Sequence, residues 1–260
     1  MIKNIAIVTG TRAEYGILKP LIKKVAESKD FELHLFVTGL HLLEKYGYTI
    51  NEIRGDGIDI DFTVDMYDDS EKMTNYGEAL GRGIMGFTSA LSQFPIDLVI
   101  VLGDRLEPFA AVLAAATLGL PIAHIHGGDK TDSGHIDEQI RHSISRFSHI
   151  HFTATKEHAD RLLKFGEEPW RIYNVGALGL DSIMDETILS KVELSRKYGI
   201  QLHDRYIVCL FHPISTEPEL AGHQMNEILN AIIKEGIQAV IIYPNNDHGS
   251  QNIICEIEKQ

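Results

Sequence analysis

IDLVIVLGDRLEPFAAVLAAATLGLPIAHIHGGD, residues 96–129, admits two readings, a membrane span or a buried strand–helix–strand unit. Its most apolar part, PFAAVLAAATLGLPIAHI, is cut by Gly119 and Pro121, whereas a span needs about 20 uninterrupted apolar residues. The stretch therefore reads as strand 97–101, a Gly103-Asp104-Arg105 turn, helix 106–118, strand 121–126 and a Gly127-Gly128-Asp129 turn. Strands joined through a helix pair in parallel, so this unit predicts a parallel α/β sheet.

The same alternation continues on both sides. Strands are predicted at 3–9, 31–37, 58–63 and 149–153, and helices at 13–28, 70–93, 136–147 and 155–165. These make one Rossmann-like, doubly wound domain over residues 1–176. Residues 177–198 read as a helical connector. Strand 206–211, helix 221–235, strand 238–243 and helix 250–259 follow. The expectation for 177–260 is thus a connector and a partial second Rossmann-like domain, because two strands are few for an open sheet. The chain stops within an amphipathic helical pattern, so a longer protein is expected. Helix 70–93 holds Gly77, Gly81, Gly83 and Gly86, a composition that predicts close approach to the sheet or to another subunit's helix.

Composition narrows the function. The 260 residues carry a formal charge of -13, which favours neither nucleic acid nor an anionic membrane as a partner. Two cysteines, Cys209 and Cys255, supply neither a disulfide framework nor a thiolate zinc site. With no secretion signal in MIKNIAIVTG, a cytoplasmic protein is expected.

Ligands of open α/β sheets bind outside the carboxyl ends of the strands. Five turns fall there: 10–15, 103–107, 127–129, 212–216 and 244–250. Two sheets facing each other through these edges would make an interdomain cleft. Arg12 and Arg105 each stand between a strand end and a helix start, where free N–H groups and the helix dipole favour an anion such as a diphosphate. The competing reading pairs Arg12 with Glu14 or another surface acid.

Residues 124–152 hold six of the thirteen histidines. A metal cage, a metal-free acid–base site and a solvated helix all fit that composition. His124 and His126 are two apart on a strand and should share a face. His149 and His151 begin theirs, so a parallel sheet should hold the two pairs about a strand length apart, which argues against a shared metal. Ile136, Ile140, Ile144 and Phe147 form the apolar stripe of the next helix. Asp137 and Arg141, four apart, can pair at its boundary, with Glu138 and His142 pointing further out. Asp137 lies in the first turn, where a carboxylate could exchange a proton with a bound sugar.

GTRAEYG (10–16), GDRLE (103–107), HIHGGD (124–129) with GHIDEQIRH (134–142), the His212-Pro213 turn and PNNDHGS (244–250) together resemble the hydrolysing UDP-N-acetylglucosamine 2-epimerases, nearest the branch serving sialic-acid-type sugar synthesis. The resemblance covers essentially the whole chain. It implies a glycosyltransferase-B-like fold, a UDP-sugar substrate, a cytoplasmic homodimer, and neither metal nor cofactor. The implied reaction eliminates UDP to give a 2-acetamidoglucal and then adds water. Arg12, Arg105, His212 and Asn245 match nucleotide or diphosphate contacts, and His212 also stands among the catalytic candidates. Asp104 and Asp137 match catalytic carboxylates, and Arg141 a residue supporting the site. His124, Glu138 and Asp247 are further binding candidates. Several sialic-acid enzymes have a catalytic glutamate where this chain has His126, so the base is either a neutral His126 or Asp129. Relatives with altered pockets act on UDP-N,N'-diacetylbacillosamine, and glycosyltransferases share the fold. The family also continues beyond this length, with a UDP-gripping turn and a C-terminal helix that returns to the first domain.

Overall fold

The computed structural model describes residues 2–68, 75–131, 136–185, 188–214 and 216–260. Residues 2–131 with 136–185 form one compact unit and 188–260 a second.

The first unit is built on seven parallel strands: β1 Lys3–Thr9, β2 Phe31–Thr38, β3 Phe62–Val64, β4 Leu98–Leu102, β5 Ile122–Ile125, β6 Ile150–Thr153 and β7 Ile172–Asn174. Their spatial order is β3-β2-β1-β4-β5-β6-β7. The order reverses between β1 and β4, so the switch point lies where their following turns diverge. The helices are α1 Arg12–Ala26, α2 Ile50–Gly55, α3 Tyr76–Leu91, α4 Leu106–Thr117, α5 Ile136–Phe147, α6 Lys156–Lys164 and α7 Gly179–Asp185. Alternate strand residues face opposite layers. Ala6, Val8, Val99 and Val101 pack with α3, α4 and α5. Ile5, Ile7, Ile100 and Leu102 pack with α1 and α2. Burial on both faces is what makes these strands read as unbroken apolar runs.

The second unit holds α8 Lys191–Tyr198, β8 Tyr206–Leu210, α9 Ala221–Glu235, β9 Gln238–Ile242 and α10 Ser250–Ile257. β8 and β9 are parallel, and Ala221, Met225, Leu229 and Ile253 form its core.

Several expectations shift. The strand expected at 58–63 pairs only from Phe62, because the Asp61 carboxylate takes the Leu35 N–H at 2.8 Å in place of a backbone carbonyl. The short elements α2 and β7 escape a periodicity reading. The expected connector holds two helices, of which α7 belongs to the first unit: Ser182 Oγ donates to the Gly16 carbonyl at 2.6 Å. α3 begins at Tyr76, capped by Asn75, and 69–74 lie outside the described residues. Gly83 and Gly86 do make close approaches, to Ala110 and Met66 and to Val64, while Gly81 has open space around it.

Candidate active site

Arg12, Asp104, Arg105, His126 and Asp129 follow β1, β4 and β5, and Asp137, Glu138 and Arg141 stand on α5. They lie at the carboxyl edge of the sheet, beside and beyond the switch point. Each turn is shaped locally. Thr11 caps α1 through its hydroxyl, and Glu14 closes the capping box, its Oε2 accepting from Gly10 N at 2.7 Å and Thr11 N at 3.0 Å. This corrects two expectations. Those two amides are occupied by Glu14, and its carboxyl group serves the backbone in preference to Arg12, which is exposed. Burial, then the charge of Glu107, pushes the Glu14 pKa up to about 8.

The turn after β4 carries Asp104, whose Oδ2 meets Arg141 Nη2. Arg141 is buried on α5. Its Nη1 also lies 3.4 Å from Thr131 Oγ1 and 3.6 Å from Glu138 Oε2. Burial, and after it the charge of Arg161, holds Arg141 below the usual arginine range. The sequence expectation paired Arg141 with Asp137; the structure brings Asp104, remote in sequence, onto Arg141. Asp137 is half-buried in the first turn of α5. Glu138 and His142 are half-buried and bond at 2.9 Å, further out than the buried Arg141. Glu138 also accepts from Thr131 N at 2.8 Å.

The histidines change most. β5 ends at Ile125, and His126 turns into the left-handed region at φ 64°, so it does not share a strand face with His124. A non-glycine residue there is strained, a feature frequent at functional sites. Burial lowers the His126 pKa, with His158 adding to the shift and Asp129 opposing it. Asp129 Oδ1 lies 3.2 Å from His158 Nε2, a residue of α6 that sequence spacing gave no reason to place here. Arg161, also on α6, donates to the Gly128 carbonyl.

His124 is fully buried. Its Nε2 lies 2.7 Å from the Gly103 carbonyl and its Nδ1 3.0 Å from Ser145 Oγ. A carbonyl only accepts, so Nε2 carries the proton and Nδ1 accepts from the serine. Burial pushes this ring's pKa down to about 3. His124 thus holds the Gly103–Asp104 turn against α5 and has no surface with which to meet a substrate. It also stands in register with His151. The expected separation of the histidine pairs fails because both strands are only four residues long. The rings nonetheless take different partners, His151 facing Glu167 at 3.4 Å. Among the described residues no group of three His, Cys, Asp or Glu side chains is arranged to hold a metal ion.

The second unit carries its own polar edge. His212 Nδ1 accepts from Asn245 N at 3.2 Å, tying the turn after β8 to that after β9. Asn245 Nδ2 donates to Asp247 Oδ2 at 2.6 Å. An apolar groove of about 370 Å³ on the first unit, lined by Ile5, Ile100, Ile125 and Phe152 among others, includes none of the candidate residues.

A doubly wound sheet with arginines at the switch point and a carboxylate–arginine pair beside them defines an α/β protein whose charged side chains gather at the carboxyl edge of its strands. Residues 23–260 match the family model described as UDP-N-acetylglucosamine 2-epimerase, and the chain belongs to that family. A UDP-N,N'-diacetylbacillosamine 2-epimerase (hydrolyzing) from Legionella pneumophila is 36% identical over 253 residues, 97% of this chain and 67% of that protein. A UDP-N-acetylglucosamine 2-epimerase from Neisseria meningitidis serogroup B is 35% identical over 257 residues, 99% of this chain and 67% of its own length. The chain thus spans about two thirds of these relatives. The crystal structure of UDP-GlcNAc 2-epimerase from Neisseria meningitidis bound to UDP-GlcNAc aligns at a TM-score of 0.78 and 21% identity, covering 98% of this chain and 70% of that one; the fold is shared. Among the described residues no helix is long and apolar enough to cross a membrane.

Proposed function

We propose that the chain acts as a hydrolysing UDP-N-acetylglucosamine 2-epimerase, releasing UDP and N-acetylmannosamine. The observation that carries the reading is the Asp104–Arg141 pair set beside Arg105 at the switch-point edge. Arg12 and Arg105 would take the diphosphate charge as the C1–O bond breaks. An acid–base pair drawn from Asp104, Asp137, His126 and Asp129 would remove the C2 proton, giving the 2-acetamidoglucal. Water would then add at C1, with a proton returned to C2 on the opposite face. A neutral imidazole suits a base, and burial favours that form of His126. Arg141 would hold Asp104 in place. Neither step calls for a metal or a redox cofactor, since the arginines neutralise the leaving group. A cytoplasmic homodimer is the setting that goes with this reading.

A second substrate has specific support: the Legionella relative, named for UDP-N,N'-diacetylbacillosamine, is as similar as the Neisseria protein named for UDP-N-acetylglucosamine. Incubating the full chain with each sugar nucleotide in deuterated water tests both. UDP release with deuterium at C2 of the free sugar is expected from one of them. Release without deuterium at C2 would mean simple hydrolysis or transfer to an acceptor, and would overturn the epimerase reading.

A further inference from the structure

Glu107 is a carboxylate with no exposed surface in the first turn of α4. An acid that merely complements a helix dipole sits comfortably in water, and burying one is unfavourable unless partners meet it. Four strand-end turns converge on this side chain. Gly10, after β1, lies so close that a Cβ there would stand 2.6 Å from Glu107 Cβ and Cγ. Gly39, after β2, has φ +65°, and a Cβ there would stand 2.7 Å from Glu107 Cγ. Any larger residue at either position would push the carboxylate out. Tyr67, after β3, donates its hydroxyl to Oε1 at 2.9 Å. Arg105, after β4, brings Nε to 3.5 Å from Oε2, an ion-pair contact and not a hydrogen bond.

We propose that Glu107 is a positioning residue: clamped by Tyr67 and the two glycine necks, it anchors Arg105 at Nε and so sets the direction of the guanidinium toward the anion bound at this edge. The proposal rests on the reading of Arg105 as a diphosphate contact. Arginine's planar fork recognises phosphate by direction as well as by charge, so fixing one edge of the plane fixes the other. Pre-orientation also removes the rotamer entropy that a loose arginine loses on binding. Glu14 fits this scheme. Its raised pKa leaves it protonated at pH 7, so it adds no charge of its own beside Arg105.

The test is a double-mutant cycle on the full chain, with UDP titrated by calorimetry into wild type, Arg105→Ala, Glu107→Gln and the double variant. Glu107→Gln keeps the volume and removes the charge. It should weaken UDP roughly tenfold, the lower range for one charge-assisted contact, and add nothing in the Arg105→Ala background. Tyr67→Phe, which removes only a hydroxyl, should show the same lack of additivity and serves if Glu107→Gln does not fold. Losses that multiply, or wild-type affinity in the foldable variant, would overturn the positioning role alone. Unchanged affinity in Arg105→Ala would overturn the diphosphate reading and the proposal with it.

Discussion

Replacing Glu14 by Gln should abolish a loss of stability that the first unit otherwise suffers between pH 6.5 and 8. Burial and Glu107 raise the Glu14 pKa from 4.5 to about 8. In that interval the folded chain holds a proton that the unfolded chain releases, so stability falls as pH rises. Below pH 6.5 the buried histidines act in the opposite sense. His41 and His124 are pushed down from 6.5 to about 4 and about 3. They take up protons only on unfolding, so their contribution grows as pH rises toward 6.5. Two such histidines outweigh one glutamic acid between pH 4.5 and 6.5, giving net stabilisation with rising pH and a maximum near 6.5. Beyond it only the Glu14 effect continues among these three groups. At about 1.4 kcal/mol per pH unit, the fall from pH 6.5 to 8 is roughly 2 kcal/mol. For a unit of this size that is roughly 4–8 °C in Tm. Glutamine retains a carbonyl oxygen for Gly10 N and Thr11 N, so the capping box should survive. Thermal unfolding followed by circular dichroism in half-unit pH steps is the assay. Parallel Tm curves for wild type and Glu14→Gln between pH 6.5 and 8 would refute the reasoning, because the alkaline fall would then come from another group.

Asp137→Asn should lower turnover about 10²-fold or more while leaving UDP affinity and Tm near wild type; a joint loss of Tm, binding and turnover would make Asp137 structural. Arg12→Ala should weaken UDP binding by about 1–3 kcal/mol in a titration, since Arg12 is exposed at the start of α1 and its loss leaves the fold intact. His124→Leu leaves a part-buried carbonyl at Gly103 and a buried hydroxyl at Ser145 without their ring partner, a loss of roughly 2–4 kcal/mol by urea denaturation. Exhaustive EDTA treatment should leave UDP release from the sugar nucleotide intact, and a loss restored by zinc or magnesium would show that a metal acts.

The two-state alternation of strand and helix patterns in residues 96–129 was enough to define the parallel sheet, because burial on both faces writes itself as unbroken apolar runs. The strand-end turns were legible for the same reason: glycine and charge interrupt those runs where the chain leaves the sheet. The capping box Thr11-x-x-Glu14 was also within reach of spacing, and it would have shown that Glu14 is engaged by backbone amides. Partnerships across the sheet were not. Arg141 takes Asp104, 37 residues away, and Asp129 meets His158 from α6, because crossover helices return to the same edge from distant sequence positions. Register likewise had no sequence signal. His124 stands beside His151 because two short strands slide until their buried faces match, and that match depends on the layers above and below them. Local sequence therefore determined which residues reach the carboxyl edge, and tertiary packing decided which of them touch, which are protonated and which, like His124 and Glu107, are too deeply buried to meet a ligand themselves.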